Sequence, residues 1–78
     1  MSIEKDLNYQ EGYWSGESVV KNIEKTTYKD LETAIAVKQK VIDNFEEQFG
    51  YTTENFNDDS NYSYNYGMLV RLKEEYQK

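Results

Sequence analysis

The sequence predicts an α+β fold: a small β-β-α-β domain, or β-β-α-β-β, with one long helix packed on a small sheet. Three observations carry that expectation. Between Thr27 and Gly50, apolar residues stand at Tyr28, Leu31, Ile35, Ile42, Phe45 and Phe49, a helical period. Between Tyr62 and Leu72 they alternate, with Tyr62, Tyr64, Tyr66, Met68, Val70 and Leu72 on one parity, the period of a strand. Residues 18–25 hold β-branched Val19, Val20 and Ile23, which suit a pleated, half-buried surface. The alternative architecture is a small helical bundle built from residues 17–25, 28–49 and 67–77.

Each element has its own local argument. In residues 2–14, Leu7, Tyr9 and Tyr13 share one parity, which reads as a ragged first strand. Ser15-Gly16-Glu17 reads as a tight turn. Residues 18–25 read as a second strand. Val19, Val20 and Ile23 also stand three and four apart, so a short helix capped by Ser15 competes. For the long helix, Thr27 can cap the start, with Asp30 three residues on as a short capping box. Gly50 follows the last apolar residue, where a left-handed terminator is wanted. Lys38 fills the one missing slot in the apolar stripe, its stem on the seam and its head in water. The stripe reads as packing on a sheet rather than as a coiled coil. Residues 51–56 can add a short strand. Asn57-Asp58-Asp59-Ser60-Asn61 is turn-forming. The 62–72 strand closes the order, and its tyrosine stripe reads either as core under the helix or as an exposed recognition face.

Length and composition narrow the function. The 78 residues form one small domain, 1–78, and a chain of this size buries only about 60–65% of the surface it exposes when unfolded. Neither cysteine nor histidine occurs. That removes disulfides, thiolate chemistry, the usual zinc sites and histidine-based nucleophilic catalysis. Gly12, Gly16 and Gly67 read as isolated, with no phosphate-binding loop among them. The expectation is a protein that is not an enzyme, with no catalytic residue, cofactor or metal. The opening MSIEKDLNYQEGYW lacks the basic-then-apolar order of a signal peptide. No apolar run approaches the roughly 20 residues of a membrane span. A soluble, cytoplasmic protein is expected.

The charge is the most informative feature. The net charge is −6, and all of it belongs to residues 41–70, where Asp43, Glu46, Glu47, Glu54, Asp58 and Asp59 stand with no basic residue. Asp43, Glu46 and Glu47 crowd the C-terminal half of the long helix, where the last carbonyls disfavour carboxylates by a few tenths of a kcal/mol each. The bland reading is a solvated face that keeps the chain soluble. The sharper one is a docking surface for a basic partner, carried by Asp43, Glu46, Glu47, Tyr51, Glu54, Asp58 and Asp59, with aromatic anchors. Calcium is a weaker reading of residues 57–61, which lack the spaced ligands of an EF-hand. Direct nucleic-acid binding is disfavoured, because the tyrosine stripe lies in a purely acidic window.

In size, acidity and lack of catalytic residues the chain resembles, in type, the small phage-encoded inhibitors of host defence, including anti-CRISPR and anti-restriction proteins. That likeness implies a nucleic-acid mimic that occupies a basic, nucleic-acid-binding protein in the host cytoplasm. The alternative is a structural or assembly protein that self-associates, as a homodimer.

Overall fold

The alternating tyrosines lie on a helix. In a computed structural model that describes residues 2–78, the chain folds as three α-helices: α1 (Leu7–Lys21), α2 (Leu31–Phe49) and α3 (Ser60–Tyr76). Short 3-10 turns at Ile3–Lys5 and Ile23–Lys25 follow the N-terminus and α1. No strand occurs among the described residues. This overturns the α+β expectation: residues 2–14, 18–25, 51–56 and 62–72 build no sheet, and the alternative helical bundle fits.

The physical reason lies in α3, which has partners on several sides. Tyr62, Tyr66 and Leu69, spaced four and three, join Ile3, Tyr9, Ile42 and Phe56 in one apolar cluster. Tyr64, Met68 and Leu72, spaced four and four, join Ala34, Leu31 and Val20 in a second. Two interleaved helical stripes, offset by two residues, produce the same alternation as one strand face. α3 thus buries two adjoining faces, while Ser60, Asn61, Lys73 and Glu74 stay exposed. Its burial agrees: Tyr62 and Leu72 are fully enclosed and Leu69 nearly so.

The remaining side of α3 is a seam of small contacts with α1. Gly12, Gly16 and Gly67 are all buried inside helices. A Cβ on Gly67 would stand 2.1 Å from the Tyr9 carbonyl oxygen, and one on Gly16 would stand 2.9 Å from the Arg71 Cβ. The glycines let the two backbones approach where any larger residue would hold them apart. Ser63, also on this side, donates its hydroxyl to Asp6 at 2.5 Å. The Ser15-Gly16-Glu17 turn is therefore absent, because Gly16 serves packing within α1. In an exposed helix each such glycine costs about 1 kcal/mol relative to alanine; here the approach it permits outweighs that.

The long helix is present, with its start shifted. Asp30, rather than Thr27, is the N-cap, and its carboxylate accepts from the Thr33 amide at 2.8 Å. That bond holds the Asp30 carboxyl below the usual range. Gly50 ends the helix in the left-handed region at φ 68°. Ala34 and Ile42 bury the inner face of α2. The Lys38 ammonium donates to Asn65 Oδ1 at 3.0 Å, so its head is tied to α3 rather than free in water.

Residues 51–56 form a tight turn, in which the Thr52 and Asn55 amides each donate to the other's carbonyl, at 3.1 and 3.2 Å. The Ile3 amide donates to the Thr53 carbonyl at 3.2 Å and ties the N-terminal turn to this loop. Asn57 and Asp58 take left-handed backbone, φ 53° and 54°, as the turn-forming composition anticipated, but the expected 57–61 turn stops at Asp59, whose carboxylate caps α3, so that Ser60 and Asn61 are already helical. No helix among the described residues is long and apolar enough to cross a membrane.

Candidate functional site

Where α2 ends and α3 begins, the 51–59 loop closes an aromatic cluster around Tyr62. The Tyr62 ring meets Phe45, Tyr51, Phe56 and Tyr66 at centroid separations of 5.9, 5.3, 5.9 and 5.7 Å. Phe49 stacks on Tyr51 at 5.1 Å. The buried Tyr62 hydroxyl donates to Glu46 Oε2 at 2.8 Å. Burial first, and then this bond, pushes the Tyr62 phenol far above its ordinary value. Tyr51 donates to Asp59 Oδ2 at 3.1 Å, and burial with this bond raises its phenol as well. Asp59 also caps α3, accepting from the Asn61 and Tyr62 amides at 3.0 and 3.2 Å.

The expected docking residues thus divide in two. Glu46, Tyr51 and Asp59 are half-buried and converge on Tyr62, where they hold the loop to the helices. Asp43, Glu47, Glu54 and Asp58 are exposed. Glu54 and Asp58 line one shallow groove with Asn55, Phe56 and Asn57. Glu47 lines another on α2, with Asn44 and Gln48. Asp43 accepts from the Gln39 amide one turn earlier, at 3.0 Å. The ion pairs of the described residues, Lys21–Glu17, Arg71–Glu75 and Lys78–Glu75, involve none of the six carboxylates of the 41–70 segment. Phe49, 53% exposed, stands on the same helix end.

The tyrosine stripe divides as well. Tyr62 is core, while Tyr64 and Tyr66 are half-buried, Tyr64 donating to Ser15 Oγ at 2.6 Å. The perturbed phenols are pushed away from neutral pH, and Tyr51 and Tyr62 keep their protons, each donating a hydrogen bond to a carboxylate. Among the described residues no group of three or more acidic side chains is placed to hold a metal ion.

Sequence reasoning missed one exposed face. Trp14 and Leu7, 66% and 73% exposed, lie on α1. Their seven-residue spacing was the available signal; read as a strand, residues 2–14 put Trp14 and Tyr13 at its end, packed under the long helix, whereas Trp14 is exposed on α1. Comparison with protein-family models, with curated proteins and with solved structures finds no match to this chain.

Proposed function

We propose that this chain is a non-catalytic acidic binding module that docks on a basic surface of a partner protein. The observation that carries the reading is the set of exposed carboxylates Asp43, Glu47, Glu54 and Asp58, free of ion pairs to described residues and accompanied by exposed Phe49. Exposed carboxylates on the α2 end and on the following loop, with an exposed aromatic beside the former, are complementary to a basic protein surface. Where that surface normally holds nucleic acid, the carboxylates stand in for phosphates and the module acts as an inhibitor.

The test is capture of a partner from host lysate with the wild-type chain and with a D43K/E47K variant. The reading requires that one basic protein be retained by the wild type, released as salt rises, and lost by the variant. Retention of that protein by the variant rejects it. A second reading, a homodimeric assembly protein, is favoured by exposed Leu7, Trp14 and Phe49. It requires a concentration-dependent mass in sedimentation.

A further inference from the structure

Along α1, Tyr9, Gln10, Tyr13 and Trp14 line an open groove of about 330 Å³. Trp14 contributes an indole that is 66% exposed. A single exposed apolar residue is ordinary, but here the indole is continuous with the rings of Tyr13 and Tyr9 in one groove, and a contiguous patch marks a contact site. No carboxylate lines the groove itself, but carboxylates from two helices and the N-terminal turn stand near its lining residues. Tyr13 donates its hydroxyl to Glu74 of α3. Glu4 and Glu74 both act on the Tyr9 phenol, and Glu17 acts on that of Tyr13. Glu11 and Glu17 stand three residues before and after Trp14, the spacing that puts side chains beside one another on a helix. Of the nearby cations, Arg71 is turned inward, while Lys21 is exposed two turns along α1 from Trp14 and shares Glu17 with any incoming cation. Arg71 is buried and bonds Glu75 at 3.3 Å, Lys21 lies 3.9 Å from Glu17, and Lys5 belongs to the turn before α1.

An aromatic floor with carboxylates nearby is the arrangement that holds an organic cation. The ring face attracts the charge and the carboxylates accept its N–H groups. Tryptophan is the strongest of the aromatic partners. A planar guanidinium can stack on it while its edge bonds a carboxylate, which a compact ammonium does less well. We infer that the α1 groove seats an arginine side chain of a partner protein, stacked on Trp14 between Glu11 and Glu17. This surface lies outside the 41–70 segment, so it stands or falls independently of the docking reading above.

Trp14 is the sole tryptophan, so its fluorescence reports the groove alone. Titration of the full chain with a capped tetra-arginine peptide should change Trp14 emission saturably. A tetra-lysine peptide should need a roughly two- to fivefold higher concentration, and a tetra-glutamate peptide should give no change. E11Q/E17Q should raise the half-saturating concentration of tetra-arginine at least twofold, whereas D43N/E47Q should leave it unchanged. In a Trp14→Leu variant, whose fold is checked by circular dichroism, peptide-induced amide shifts at residues 9–14 should vanish. Four results each overturn the proposal: no saturable change with tetra-arginine, equal response to tetra-lysine, an unaltered midpoint in E11Q/E17Q, or amide shifts that persist without the indole. Trp14 emission that depends on protein concentration without peptide would also overturn it, since a second copy would then cover the face.

Discussion

Gly12 of α1 rests on the backbone of Tyr64 in α3: a Cβ added to the glycine would stand 1.9 Å from the Tyr64 carbonyl oxygen. Gly67 returns the contact from the other helix, onto the carbonyl of Tyr9. The neighbours are backbone atoms, which cannot turn aside as a flexible side chain can. The pairing of α1 with α3 therefore depends on two absent methyl groups.

Gly12→Ala and Gly67→Ala should each destabilise the protein by about 1–3 kcal/mol, because overpacking outweighs the roughly 1 kcal/mol that alanine gains in a helix. Gly16→Ala should cost less. Its nearest atom, at 2.9 Å, belongs to the Arg71 side chain, although the Met68 carbonyl oxygen stands at 3.0 Å. Urea midpoints of the three variants check this order. Stabilisation by either of the first two would show that the helices are not in contact there.

Tyr62 is fully enclosed and its hydroxyl has Glu46 as acceptor. Tyr62→Phe should lose about 1.5–3 kcal/mol, the net worth of a hydrogen bond to a charged group. Glu46→Gln should lose a similar amount, and the double variant should lose less than the two together. A double-mutant cycle on chemical denaturation reads the coupling. Glu46 is committed to Tyr62, so E46K should destabilise while E47K should not.

Alkaline stability follows from the tyrosines. Burial, more than any other cause, raises the phenols of Tyr9, Tyr62 and Tyr66 above their ordinary value of 10.0. A phenol that holds its proton more tightly when folded loses nothing below its unfolded value. Above pH 10 the unfolded chain releases protons that the folded chain keeps. Stability should thus be flat on approach to pH 10 and fall progressively beyond it. Thermal midpoints between pH 8 and pH 12 would follow it, and Tyr62→Phe should flatten the decline.

Asp43 and Glu47 are exposed, and neither is among the described ion pairs. D43K/E47K should leave the unfolding free energy within about 0.5 kcal/mol of wild type, as for most surface changes. It should also relieve a slight mismatch of carboxylates at the C-terminal end of α2. Thermal unfolding measured beside the capture experiment separates loss of binding from loss of fold.

Some of this was legible in the chain and some was not. The period of residues 28–49 and the glycine at 50 determined α2 and its end, since both act within a few residues. The turn chemistry of 57–61 likewise placed Asn57 and Asp58 in a loop, and the −6 charge of residues 41–70 required no fold to be seen. The strand readings failed where the partner decides the meaning of a residue. Tyr62, Tyr64 and Tyr66 alternate because α3 has one cluster on one side and another beside it. Gly12, Gly16 and Gly67 weaken helices locally, and only the neighbouring backbone makes them favourable. Of the acidic set, sequence alone could not tell Glu46 and Asp59, which hold Tyr62 and Tyr51, from Asp43, Glu47, Glu54 and Asp58, which face solvent. Charge and local period are properties of the chain itself. Burial, and the hydrogen bonds that burial makes necessary, belong to pairs of residues brought together only by the packing of the three helices.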